Sequence, residues 1–297
     1  MLDANPNEIQ TQPSHLPPVT PLVLIHDGGG TTFGYFSLGS LERTVWAIHN
    51  PNFMTGKPWA GGIDAMAAAY VQLLREAGVR GEVILGGWSL GGWLALAMAK
   101  LLAKKEEISK ADAIFVKSLL IIDSPYHTPG RKQDFDNLGL PPLPELVRKS
   151  FDQSGNMMKI WELPSWDGVQ AQSGRELLVD GLVVKPGEVL NVDVLGKAKV
   201  ESVPKYEEDG GFPPWAVLVK ATQTLKNTDA VIDRWRNEKV LGWEGRYPEF
   251  VKAVVEVDSH HFAMFSLSTI DYITEKINRA LEILDRGTVK VAGKTGL

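Results

Sequence analysis

"EVILGGWSLGGWLALAMAK", residues Glu82 to Lys100, joins a short apolar run to a long helical one through a serine set between glycines. Strand-length apolar runs that end in a glycine-bounded serine and restart as a helix describe a tight strand-to-helix turn. Gly87-Trp88-Ser89-Leu90-Gly91 fits G-x-S-x-G. In that pattern the turn pushes the serine out at the top of a sheet, and side chains at the flanking positions would strike the adjoining strand and helix. The backbone amide of Leu90 then points where an oxyanion would form, and the helix N-terminus adds a favourable dipole there. The competing reading is a glycine-rich turn with an incidental serine, in a chain with 29 glycines. The strand-like run before the motif and the helix-like run after it favour Ser89 as a nucleophile.

Outward from this turn, further apolar runs read as buried strands: 21–26, 44–49, 118–123, 216–221 and 250–257. Near-continuous apolar character suits strands covered on both faces, as in a parallel sheet. Residues 61–78, 90–105 and 267–286 carry apolar residues at helical spacing. Strands alternating with helices predict an α/β fold with a mainly parallel sheet flanked by helices. Residues 124–215 break the rhythm with ten prolines. A structureless run of that length is uncommon in a compact domain, so residues 127–213 are expected to form an inserted lid. "PELVRKSF" and "GNMMKIWEL" look helical there, and "ELLVDGLVVKPGEVLNVDVL" reads as either strand or helix. Residues 1–20, polar and proline-rich, are expected to be a flexible leader, with the folded domain at 21–297.

Composition excludes several classes. The 297 residues carry a net charge of −5 and no cysteine. No basic field draws the chain to nucleic acid or anionic lipid, and disulfides, thiolate metal sites and a Cys nucleophile are ruled out. No secretory signal or membrane-length apolar run is present, so the expected location is cytoplasmic. The histidines form no spaced cluster with carboxylates, so no metal is expected.

A serine hydroxyl needs a base. Of six histidines, His260 and His261 follow the last apolar strand in "VEVDSHHFAMF". With this turn the order is serine, acid, histidine, which favours the late pair. "SLLIIDSPY" puts Asp123 at the end of an apolar strand, where a carboxylate is costly unless hydrogen-bonded. Asp229 and Asp233 are rival acids, and Asp258 lies too near the histidines in sequence to be preferred. "LVLIHDGGGTTFGYF" frees the backbone to approach a ligand. A second oxyanion donor comes from such a loop; Gly28 is favoured by position, with Asp27 or Gly29 as alternatives. The glycines match neither phosphate-binding pattern.

Together, "IHDGGGTTFGYF", "GGWSLGGWLALAMA", "LLIIDSP" and "DSHHFAMF" resemble the thioesterase domains of fungal polyketide and nonribosomal peptide synthases, in the α/β-hydrolase superfamily. The resemblance covers roughly residues 20–285, and "DRWRNEKVLGWEGR" (233–246) shares it. It implies an α/β-hydrolase fold with a lid insertion after the sixth strand, the position it gives to 118–123. It implies Ser89 as acyl-accepting nucleophile, Asp123 as acid and His261 as base. The implied substrate is an acyl chain on the phosphopantetheine of an acyl or peptidyl carrier protein, released by hydrolysis or cyclisation, with no cofactor of the enzyme's own. An editing thioesterase, or an acyltransferase or ester hydrolase on a non-carrier substrate, is the alternative. Trp161, Trp166 and Trp215, with Met157 and Met158, are expected either to line the acyl pocket or to form lid core; Trp88 and Trp93 are expected to be packing residues.

Overall fold

The computed structural model describes residues 4–104, 112–131, 142–167, 175–205, 211–225, 230–247 and 249–291. Its strands and helices run, in chain order, β1 (Asn7–Gln10), β2 (Leu22–Ile25), α1 (Phe33–Phe36), β3 (Val45–Ile48), α2 (Gly62–Glu76), β4 (Gly81–Trp88), α3 (Leu90–Leu102) and β5 (Ile114–Ile122). Then come α4 (Glu145–Met158), β6 (Arg175–Val179), β7 (Leu182–Val184), β8 (Glu188–Val192), β9 (Ala198–Ser202), β10 (Ala216–Gln223), β11 (Val251–His260), α5 (Ile270–Arg286) and β12 (Thr288–Val291). The main sheet has the order β1-β3-β2-β4-β5-β10-β11-β8-β9. Its inner pairs are parallel, and β1 and β9 close the two edges antiparallel. This is the expected mainly parallel, helix-flanked sheet.

The continuous apolar runs follow from two separate cores. Val23 and Ile25 of β2, with Leu119 and Ile121 of β5, face the side covered by α2 and α3. Leu22, Leu24, Leu120 and Ile122 face the side covered by α5. The two-residue strand period sends alternate side chains to opposite faces, so both sets must be apolar. α3 is buried from Leu90 to Ala99 except at Trp93, as befits a helix sandwiched between the sheet and α2. No helix among the described residues is long and apolar enough to cross a membrane.

Two stretches depart from the sequence reading. The expected flexible leader supplies β1, which pairs with β3. Gln10 accepts the Leu41 N–H (2.8 Å) and donates to the Gly39 carbonyl (2.9 Å), and Asn5 donates to the His49 carbonyl (2.8 Å). An open strand edge has backbone groups to satisfy, and these polar side chains and strand do so. The presumed lid also divides. α4 joins "PELVRKSF" to the first four residues of "GNMMKIWEL" in one helix and leaves 159–163 outside it, and β8 and β9 extend the main sheet beyond β11. β6 and β7 form a hairpin whose turn, Asp180-Gly181, has positive φ at both residues (48° and 79°), the turn favoured by Asp-Gly. β12 adds to β6 to complete a three-stranded second sheet.

The glycines of the turn before α3 are fixed by contact. A Cβ on Gly87 would lie 2.5 Å from the Ile25 carbonyl oxygen, and one on Gly91 would overlap that oxygen and lie 2.9 Å from the His26 carbonyl oxygen. Both obstacles are backbone and cannot move aside. Gly91→Ala is expected to destabilise the protein by about 3 kcal/mol or more. Gly78→Ala, strained only by its φ of 79° with nothing within 4 Å, should cost about 1–2 kcal/mol. Denaturant midpoints of the two variants check the difference.

Candidate active site

Ser89 sits between β4 and α3 with φ 56° and ψ −117°. That conformation costs a non-glycine residue roughly 1–3 kcal/mol and is held by its surroundings. The Ser89 N–H donates to the Ile122 carbonyl (2.9 Å), and the Ser124 hydroxyl donates to the Ser89 carbonyl (2.6 Å). Tyr35 ties the neighbouring loop to the turn: its hydroxyl donates to the Ile25 carbonyl and accepts the Trp88 N–H, both at 2.8 Å. Leu90 opens α3, so its amide is one that no helical carbonyl satisfies.

Asp123 follows β5 and is likewise at positive φ (47°). It is fully buried. Its Oδ2 accepts from His261 Nδ1 at 2.8 Å, and its Oδ1 accepts the Ala221 N–H at 2.9 Å. His261, just past the end of β11, is buried, and its ring lies 5.1 Å from Trp88 and 4.9 Å from Phe262 between centroids. Thus Ser89, Asp123 and His261, from three strand ends, gather at the carboxyl edge of the sheet.

The sequence reading missed Arg236. Its guanidinium, buried on the far side of Asp123, forks onto that carboxylate: Nη1 to Oδ1 at 2.5 Å and Nη2 to Oδ2 at 2.8 Å. Nη1 also donates to the Ala221 carbonyl (2.8 Å), and Nε donates to Asp233 Oδ1 (3.0 Å). Burial, the largest single influence, would raise the Asp123 pKa, but the Arg236 charge and the hydrogen bonds from His261 and Arg236 together outweigh it and hold the carboxyl well below the usual range. The rival acid Asp233 therefore faces Arg236, and its other oxygen caps Leu225 N–H (2.9 Å). Asp258 instead accepts from Gln223 (2.8 Å) at the surface, and Asp229 lies outside the described residues.

Ser89 and His261 line one cavity of about 860 Å³, counted with its open mouth. Gly28, Leu90, Trp93, Phe151, Met158, Ile232, Trp235 and Phe262 are among its walls. α4 forms part of the roof. Phe151 presses on the glycine loop so closely that a Cβ on Gly28 would lie 2.8 Å from its ring, and the Ser154 hydroxyl donates to the Gly28 carbonyl (3.3 Å). Four aromatic and sulfur side chains proposed for the pocket do not line it. Trp161 and Trp166 are in the α2–α3 core, their indoles donating to Asp64 (3.0 Å) and to the Tyr247 hydroxyl (2.5 Å). Met157 packs against that core, and Trp215 lies in the opposite one. Conversely Trp93, expected only to pack, is a cavity wall whose indole donates to the Pro125 carbonyl (2.9 Å).

His26 is a core residue between the Asp27 carbonyl (2.5 Å) and the Tyr70 hydroxyl (2.6 Å), and burial lowers its pKa to about 4. Asp27 keeps some exposure, yet the surrounding protein desolvates its carboxyl and pushes its pKa up to about 7, against the opposing Gly29 N–H. A carboxyl with a raised folded pKa contributes stability below its unfolded value, lost as pH rises through the folded one. Between pH 4 and 8 the wild type should therefore lose stability relative to Asp27→Asn. Melting temperatures of the two across that range check it; parallel curves would contradict it. Among the described residues no cluster of His, Cys, Asp or Glu can hold a metal ion.

A family model described as the thioesterase domain matches residues 20–167, which include the Ser89 turn and Asp123. The chain is 40% identical to a probable thioesterase, KK1J, of Curvularia clavata, over 90% of this chain and 91% of that one. It is 37% identical to a probable thioesterase, lcsE, of Purpureocillium lilacinum, over 95% and 97%. It also aligns, at 27% identity and over 93% of its length, with 8% of the nonribosomal peptide synthetase imqB of Aspergillus flavus. In fold it is similar to the NocB thioesterase domain from the nocardicin cluster (TM-score 0.53, 21% identity, 88% of this chain and 93% of that one). It is also similar to YbtT, a type II thioesterase from the yersiniabactin pathway (TM-score 0.56, 13% identity, 95% and 100%). The chain belongs to the thioesterase family and has the α/β-hydrolase fold of the solved thioesterase domains.

Proposed function

We propose that the protein releases an acyl chain, polyketide or peptide, from the phosphopantetheine thioester of an acyl or peptidyl carrier protein through an acyl-serine intermediate. The observation that carries this reading is the buried His261–Asp123 hydrogen bond beside a strained Ser89, with Ser89 and His261 on the wall of one apolar cavity. In this reading Ser89 Oγ attacks the thioester carbonyl and gives its proton to His261 Nε2. Asp123 keeps the His261 Nδ1 proton in place and stabilises the imidazolium. The oxyanion is held by the Gly28 and Leu90 amides. As the C–S bond breaks, His261 returns the proton to the leaving thiol. A water, or a nucleophile within the acyl chain, then attacks the ester, again through His261, and frees Ser89. Phe151, Met158 and Phe262 suit an apolar acyl group, which a closed roof would shield from water and so favour cyclisation.

The test is intact-protein mass after mixing with an acyl-pantetheine thioester. An adduct of the acyl mass, mapped to Ser89 and absent from Ser89→Ala, is the expected result. Turnover with no such adduct in rapid-quench samples, and no labelling of Ser89 by a fluorophosphonate, would overturn the acyl-serine route. An enzyme that cleaved the matching oxygen ester as fast would belong with ester hydrolases instead.

A further inference from the structure

The cavity is apolar around Ser89 but includes two guanidiniums, Arg131 and Arg234, both exposed. They differ from their neighbours in what they face. Arg236 is spent on Asp123 and Asp233, and Arg246 on Glu238 at 2.6 Å. Arg131 and Arg234 have no carboxylate partner among the described residues. Arg234 is nonetheless held in place. Its guanidinium stacks 4.4 Å from the centroid of Trp235, and that indole is fixed by its N–H bond to the Tyr126 carbonyl (3.0 Å). Stacking uses the flat face of a guanidinium and leaves its edge N–H groups free to donate. Arg131 follows a loop tied to the end of α4, through the Gly130 N–H to the Lys159 carbonyl (2.8 Å) and His127 to the Trp161 carbonyl (3.0 Å). The two arginines come from separate loops, after β5 and before β11, and converge on one cavity.

Resting on the carrier-thioester reading, we propose that Arg131 and Arg234 form an anion-binding subsite at the cavity mouth that takes the phosphodiester of the phosphopantetheine arm. The complementary chemistry is an oxyanion with two or more acceptor atoms, which matches a guanidinium edge. On a carrier-borne thioester that group is either the arm's phosphate or a carboxylate on the acyl chain. The placement favours the phosphate. The guanidiniums are exposed, whereas the acyl side of the thioester is accommodated among Phe151, Met158 and Phe262. The arm reaches in from solvent, and its phosphate is its one fixed charge.

Three thioesters of one acyl group separate the sources: N-acetylcysteamine and pantetheine, whose arms are neutral, and 4′-phosphopantetheine. The wild type is expected to prefer the phosphorylated arm through KM. Arg131→Gln and Arg234→Gln should each reduce that preference, taken as the ratio of kcat/KM for the phosphorylated over the neutral pantetheine thioester, about fivefold to tenfold. The double variant should erase it. With an acyl group that carries a carboxylate, equal losses on all three thioesters would place the anion on the acyl chain and overturn the proposal, as would a wild type indifferent to the phosphate. Calorimetric binding of 4′-phosphopantetheine against pantetheine reads the subsite without any chemistry. Ser89 acylation can therefore fail while the phosphate preference in binding stands, and the reverse. Both side chains are exposed, so the variants should fold, and unchanged melting temperatures confirm it.

Discussion

Ser89→Ala is expected to reduce thioester cleavage by about 10⁴-fold or more with little change in melting temperature. The hydroxyl forms the bond that defines the proposed route, so no neighbouring group can substitute for it. What survives is the catalysis supplied by the oxyanion amides and by substrate placement, which do not depend on Oγ. The turn itself should persist, because its strain is held by backbone contacts: Ser89 N–H to the Ile122 carbonyl, Ser124 to the Ser89 carbonyl, and the close approach of Gly87 and Gly91 to β2. His261→Ala should lose about as much, and the double variant scarcely more than either, because groups that act as a unit are not additive. Steady-state rates on one acyl-pantetheine thioester, with melting curves for each variant, make the check. Retention of a tenth of the wild-type rate by Ser89→Ala would rule Ser89 out as the nucleophile.

What could be read from the sequence was what the chain decides locally. The turn is a few consecutive residues, so its pattern can be read locally even though the carbonyls that its glycines meet belong to the end of β2. Asp123 and the pair His260–His261 were legible because each stands at the end of an apolar strand, and strand ends share one edge in a parallel sheet; the choice of His261 within the pair came from the resemblance. The acyl pocket was not legible. Composition shows a tryptophan but not which face it turns, and Trp161 and Trp166 turn to polar partners at Asp64 and Tyr247 in the core. The fate of 188–202 depended on a free edge of β11, more than fifty residues further on. The Asp180-Gly181 pair was the available signal for the hairpin before it. Arg236 lay in "DRWRNEKV" beside Arg234, and nothing local separates the arginine that turns inward to a carboxylate 113 positions away from the one that turns outward.

Arg236→Met is expected to be the most destabilising single change near the site, by about 3–5 kcal/mol at neutral pH, and to weaken the gain of stability with rising pH. In the wild type Asp123 has a folded pKa well below its ordinary value, because Arg236 and His261 together outweigh the effect of burial. Such a group contributes stability at pH above its unfolded pKa, lost as pH falls through the folded one. Without the guanidinium, burial is the largest influence left, and it raises the pKa. Only the His261 contacts then oppose burial, so the pKa of the variant's Asp123 rises from its wild-type value and the residue contributes less of the stability gained as pH rises. From pH 4 to 8 the melting temperature of Arg236→Met should therefore fall relative to that of the wild type. Arg236→Lys should recover part of the loss, since one ammonium supplies the charge but not the fork onto both oxygens. If the penalty is an uncompensated carboxylate, adding Asp123→Asn to Arg236→Met should restore stability rather than lower it further. That double variant, folded but without a charged partner for the His261 Nδ1–H, should remain inactive as a thioesterase. A double variant no more stable than Arg236→Met alone would mean that Arg236 matters for its packing and its bonds to Ala221 and Asp233, not for the charge it sets against Asp123.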